Sequence, residues 1–172
     1  MNPNYSTIKT SRNHVVKQPR NVTKELSCAL ANTYAIYLKT QNYHWNVTGS
    51  LFGTLHRLFD EQYHELADAI DTIAERIRAV GTFAPATFKQ FEDLNEIAED
   101  REVPTAEAML QNLAAGHEQI ATRICDSIAV CNHNNDFASA DLLIKRVGCH
   151  EKYAWMLRSF LKNQSTAPQA PH

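Results

Sequence analysis

Helix-breaking residues are scarce in this sequence. It has five glycines and six prolines in 172 residues, and only Pro85 and Pro104 lie away from the two ends. Long helices can therefore run almost uninterrupted. Acidic side chains are absent from the first 24 residues, which carry Lys9, Arg12, Lys17, Arg20 and Lys24. No apolar run opens the chain, so no secretory leader is expected. No stretch approaches the ~20 apolar residues that a membrane span needs. The four cysteines, Cys28, Cys125, Cys131 and Cys149, form no Cys-x-x-Cys pair. Free thiols in a reducing cytosol, or small apolar core residues, are the simplest reading.

What is present is a charge division and a strong helical period. The formal net charge is −2 although the opening arm is wholly basic, so the body is acidic. Residues 1–22 show no sustained period and read as a flexible basic arm; residues 164–172 read as a short polar tail. Between them, residues 23–163 fit one domain, which at this size buries roughly 70% of its unfolded surface.

Four long helices are predicted. The first runs from Thr23 to Trp45, with Leu26, Leu30, Tyr34, Tyr37 and Leu38 at helical spacing. The second runs from Ser50 to Val80, with Leu51, Leu55, Leu58, Leu66, Ile73 and Ile77 on one face and Gly81 as its stop. A long connection follows, with a short helix over Phe88–Asn95. The third helix spans Thr105–Cys131. Asp136 caps the fourth, which spans Phe137–Lys162. Four long helices with one long middle connection predict an all-α, ferritin-like four-helix bundle.

The second helix carries the chemistry. Taking Leu51 as zero and ~100° per residue, its apolar positions centre near roughly 40°. His56, Asp60, His64, Asp71 and Glu75 fall between roughly 140° and 240°, away from the core. A solvated face would give the same stripe. The spacing also permits a metal site, because His56/Asp60 and Asp71/Glu75 are two (i, i+4) pairs. His56 and Asp71 lie ~22 Å apart along one helix, so one copy cannot bring both pairs to one ion. Two copies packed antiparallel about a two-fold axis near residues 65 and 66 can. His44 ends the first helix and could lean over the start of the second. Such mixed nitrogen and oxygen donors suit iron, with zinc and manganese as competitors.

The segments Tyr43-His44-Trp45-Asn46, Leu55-His56-Arg57-Leu58-Phe59-Asp60 and Ala69-Ile70-Asp71-Thr72-Ile73-Ala74-Glu75-Arg76 resemble the Dps family, or mini-ferritins. The resemblance covers residues 24–162. It implies a hollow dodecamer with inter-subunit ferroxidase sites, to which one subunit gives His44, His56 and Asp60 and the other Asp71 and Glu75. It further implies oxidation of Fe2+ with hydrogen peroxide, storage of the Fe3+ oxide in the cavity, and a cytoplasmic, nucleoid-associated protein. Trp45 would serve as an electron source or as interface packing. His64, near the two-fold axis, would hydrogen-bond across it or remain solvated.

In the family the last helix tends to carry acidic pore residues. Here that stretch reads Gly148-Cys149-His150-Glu151, so Asp136, Asp141 and Glu151 are the candidates for an iron-entry pore. Several members bind DNA through lysine-rich tails, which makes Lys9, Arg12, Lys17, Arg20 and Lys24 candidates for sequence-independent phosphate contacts. Two other readings remain. One is a di-iron site inside a single bundle, for which Glu61-x-x-His64 is the only matching motif. The other is a structural or DNA-compacting protein with a degenerate metal site.

Overall fold

The computed structural model describes residues 20–162. Five helices form: α1 (Arg20–Asn46), α2 (Phe52–Ala79), α3 (Phe88–Leu94), α4 (Ala106–His133) and α5 (Phe137–Lys162). The first starts at Arg20 rather than Thr23, because Val22 is fully buried and extends the apolar stripe by a turn. Thr23 therefore lies inside the helix. The other ends fall within about two residues of expectation, the usual uncertainty of helix termini. No strand occurs among the described residues.

Each start and stop has a local cause. Gly81, at φ 94°, accepts the left-handed conformation that ends α2. Thr87 and Gln90 form a reciprocal capping box on α3. Thr105 caps α4 through the Ala108 N–H, and Asp136 caps α5 through the Ser139 N–H.

Cross-helix contacts fix the arrangement. Asn112 donates to the Tyr43 hydroxyl, and Ser127 donates to Glu25, so α1 and α4 run antiparallel. Arg76 pairs with Asp136 near one end of α2 and Glu65 with Arg146 further back, so α2 and α5 run antiparallel as well. The segment between α2 and α4 must then cross the length of the bundle, with α3 on the way. Phe91 of α3 stacks on Tyr34 with centroids 4.6 Å apart. The crossing is tied down further on by Glu96 N–H to Asn32 at 2.8 Å and by Asp100, which meets Lys39 at 3.0 Å and accepts from Tyr43. Arg76, which closes the Asp-x-x-x-Glu-Arg motif, thus has a structural task. Its guanidinium locks the end of α2 onto the capping carboxylate of α5 at 2.6 Å.

The core is built mainly from Leu and Ile, with Leu26, Leu30, Leu55, Phe59, Leu66, Ile73, Ile77, Leu110 and Leu113 almost fully buried. One part of it is polar. His117 of α4 and His150 of α5 are fully buried and share a hydrogen bond between their Nδ1 atoms at 2.9 Å. Burial first, and then Arg146, pushes the His117 pKa down to about 3. Burial first, then His117 and Arg146, holds His150 well below its ordinary value.

Both imidazoles are therefore neutral in the fold, whereas in an unfolded chain they titrate near ~6.5. Between those values the unfolded chain binds more protons, so stability is complete above pH ~6.5 and falls on acidification. The slope is about 1.4 kcal/mol per pH unit for each fully titrating group. Denaturant midpoints measured from neutral pH down to pH ~4 should fall steadily, and the double variant His117→Leu/His150→Leu should lose most of that slope. An unchanged slope in the double variant would contradict this origin.

Candidate metal centre

The polypeptide reverses between α1 and α2 within residues 47–51. Buried Val47 pins the turn, and Gly49, at φ 100°, supplies its left-handed step. The Phe52 N–H then donates to the Gly49 carbonyl at 3.0 Å. This tight reversal lays the last turn of α1 beside the second turn of α2, and there His44 meets His56.

The two imidazoles lock each other. The His44 carbonyl belongs to the final turn of α1, where helical N–H donors run out. His56 Nδ1–H donates to it at 2.8 Å, and His44 Nδ1–H donates to the His56 carbonyl, also at 2.8 Å. The rings stack with centroids 3.8 Å apart and planes 20° from parallel. A carbonyl oxygen only accepts, so both Nδ1 atoms carry their hydrogen. Each neutral ring then keeps its lone pair on Nε2, the atom left to bind a metal.

Asp60 follows one turn after His56, and its carboxylate lies 3.8 Å from His44 Nε2. Phe52 stacks on His56 at 5.1 Å, and the Tyr63 ring approaches His44 edge-on at 5.2 Å. Loss of hydration first, and then a hydrogen bond to Asp60, raises the Tyr63 pKa, so its phenol stays protonated. His44 and Asp60 differ in access, with side chains 12% and 44% exposed. The Asp60 carboxylate and His44 Nε2 thus lie side by side, with His56 stacked on His44.

Asp71 and Glu75 sit elsewhere. Both are exposed, one turn apart on α2. At ~1.5 Å per residue, Asp71 is ~22 Å from His56 along the axis. Among the described residues, no group of three or more His, Cys, Asp or Glu stands ready to hold a metal within one chain. The structure stacks His44 on His56 and sets the Asp60 carboxylate near His44 Nε2, and it leaves Asp71 and Glu75 as a separate, exposed carboxylate pair.

Other expected residues fall differently. Trp45 is 63% exposed, and the aromatic ring beside His44 is Tyr63 instead. Tyr63 was legible in principle, since it follows Asp60 by three residues and so shares its face. His64 is exposed, donates to the Asp60 carbonyl at 2.8 Å, and stays on the solvent side of α2. Glu61 is exposed too, so Glu61-x-x-His64 does not enter the bundle interior. Asp136 is engaged inside the bundle end. It is 4% exposed, with its oxygens taken by the Ser139 N–H and hydroxyl and by Arg76. Asp141 is exposed and paired with Lys145 at 2.8 Å, and Glu151 is exposed. Lys9, Arg12 and Lys17 lie outside the described residues. Arg20 opens α1, and Lys24 is exposed.

Comparison with known proteins places the fold. The model of the ferritin-like domain family matches residues 23–166. The DNA protection during starvation protein 2 of Bacillus anthracis is 35% identical over 142 residues, covering 83% of this chain and 97% of its own. The crystal structure of Dps from Staphylococcus aureus superposes with a TM-score of 0.81 at 31% identity, covering 84% of this chain and 97% of that one. A Dps protein from Vibrio cholerae, described as a member of a broad superfamily of ferritin-like diiron-carboxylate proteins, gives a TM-score of 0.80 at 28% identity, covering 84% and 91%. The chain belongs to the ferritin-like family and, within it, to the Dps proteins.

Proposed function

We propose that this protein is a ferroxidase that binds Fe2+ between two subunits and stores the Fe3+ product in a dodecameric shell. The observation that carries this reading is the crossed His44–His56 pair, which uses both Nδ1 atoms on backbone carbonyls and leaves both Nε2 atoms for a ligand, that of His44 lying 3.8 Å from the Asp60 carboxylate. In the proposed dimer α2 packs antiparallel against its copy. Asp71 and Glu75 of the partner subunit then complete the ligand set of His44, His56 and Asp60. Two such sites arise per dimer, because a two-fold interface repeats every contact.

The roles follow from the donors. Asp71 and Glu75 are anionic oxygen ligands, which favour the ferric product over the ferrous substrate. Neutral imidazoles with fixed tautomers hold the ion without adding charge. Hydrogen peroxide is the proposed oxidant. Two ferrous ions each give up one electron, the O–O bond breaks, and two protons complete two waters. Peroxide and ferrous iron are thus removed together. Zinc and manganese would compete for the same donors. A cytoplasmic location agrees with the free cysteines Cys28 and Cys131 in the core. Among the described residues no helix is long and apolar enough to cross a membrane.

Anaerobic loading with Fe2+ followed by a peroxide pulse tests the chemistry. The absorbance of the ferric product should rise within the pulse for the native protein. His56→Ala and Asp71→Asn should each slow that rise by roughly 100-fold or more, the scale of losing a transition-state ligand. Native rates in either variant would contradict the assignment.

A second reading concerns nucleic acid. The basic residues of the opening arm, repeated on every subunit of a shell, would offer many weak phosphate contacts that add through avidity. A gel shift with linear duplex DNA should show retention at low salt that disappears as salt rises. Free migration of the DNA at low salt would end this reading.

A further inference from the structure

The bundle interior contains polar atoms that the ferroxidase reading does not use. Among the described residues, the buried side-chain atoms without a protein partner are Gln62 Nε2 and Oε1, His117 Nε2, His150 Nε2 and Arg146 Nε. Gln62 is 1% exposed, both histidines are fully buried, and Arg146 is 7% exposed.

Helix register puts these residues near one level of the bundle. Glu65 of α2 and Arg146 of α5 are bound to each other through two hydrogen bonds. Gln62 lies about one turn before Glu65, and His150 about one turn after Arg146. Because α2 and α5 run antiparallel, Gln62 and His150 come to the same height. His117 of α4 reaches His150 through the bond between their Nδ1 atoms.

The hydrogen inventory identifies the occupant. One proton lies between the two Nδ1 atoms, so one ring donates there and the other accepts. The donating ring must leave a lone pair on its Nε2, and the accepting ring must carry Nε2–H. Gln62 adds two N–H donors and a carbonyl acceptor, and Arg146 adds an N–H donor. A metal ion would meet only lone pairs comfortably, and here it would face several N–H groups beside a guanidinium. Left unpaired, five buried polar atoms would cost as much as the small net stability that holds a domain together. Water both donates and accepts, and buried waters typically make about three hydrogen bonds to groups of this kind.

We propose that the space between α2, α4 and α5 is a built site for internal water, bridging Gln62, His117 and His150 and covered by the Glu65–Arg146 ion pair. The cover follows from position. Glu65 and Arg146 also line a surface groove between α2 and α5 that includes Asp68, Thr72, Asp141 and Lys145. The Glu65 side chain is 34% exposed and that of Arg146 only 9%, so the pair stands between that groove and the interior. The interior water then forms part of the fold, and the ion pair limits its exchange with solvent.

Crystals of the full chain, refined where ordered waters separate individually, test the site directly. A second crystal is soaked in zinc and measured at the zinc absorption edge. Oxygen-sized density bonded to both Nε2 atoms and the Gln62 amide, without anomalous signal, is the expected result. A dry interior with these atoms paired to protein groups overturns the proposal, and so does anomalous density between the two histidines. In solution, oxygen-17 magnetic relaxation of the intact native shell should show slowly exchanging internal water, with exchange faster in Glu65→Ala. Slow water that exchanges equally in both proteins would overturn the role of the ion pair as cover. If Glu65→Ala does not fold, the native crystals alone decide the site.

Discussion

A straight α-helix rises ~1.5 Å per residue and cannot fold back on itself. That constraint separates the two halves of the proposed metal centre. His56 and Asp60 sit near the start of α2, Asp71 and Glu75 lie several turns later, and no side-chain rotamer closes the gap. The tight turn at residues 47–51 solves half of the problem by delivering His44 to His56. The other half is left to a second copy, and this makes assembly a condition of the proposed chemistry. The tautomer lock is equally economical. An unsatisfied carbonyl at the end of α1 fixes one ring, and a carbonyl inside α2 fixes the other, so the same two bonds hold the turn and aim both nitrogens.

The polar interior imposes the opposite arrangement. Buried carboxylates and imidazoles in one bundle are a familiar way to build an internal metal site. Here the internal imidazoles are hydrogen-bonded to each other, and burial first, with the Arg146 charge adding to it, depresses their pKa values. That guanidinium disfavours a cation, while the exposed face of α2 gathers the acidic groups. For a cation, charge placement therefore favours the exposed face of α2, which a partner would cover in the proposed dimer, over the bundle interior.

Much of this was legible in the sequence. Periodicity located the four long helices, because apolar spacing over more than twenty residues leaves little ambiguity. The turn was legible from Asn46 through Ser50, and the cap from Asp136. The two α2 pairs were visible as spacing, and the resemblance to Dps proteins added His44. The reciprocal histidine bonds were not visible, since they depend on the angle at which α1 meets α2. The cap role of Asp136 is legible in the sequence, but its ion pair with Arg76 is not, since it depends on how α2 meets α5. Tyr63 and the His117–His150 pair escaped notice because isolated aromatics and histidines carry no local signal of contact across helices.

The most direct measurement of the central claim is complementation between two inactive variants. His56→Ala and Asp71→Asn subunits are dissociated, mixed in equal amounts and reassembled, and peroxide-driven Fe2+ oxidation is followed. If each site is shared across a two-fold interface, half the dimers are mixed and each mixed dimer regains one intact site, so roughly a quarter of native activity returns. Mixed shells that stay as inactive as either parent would contradict the account.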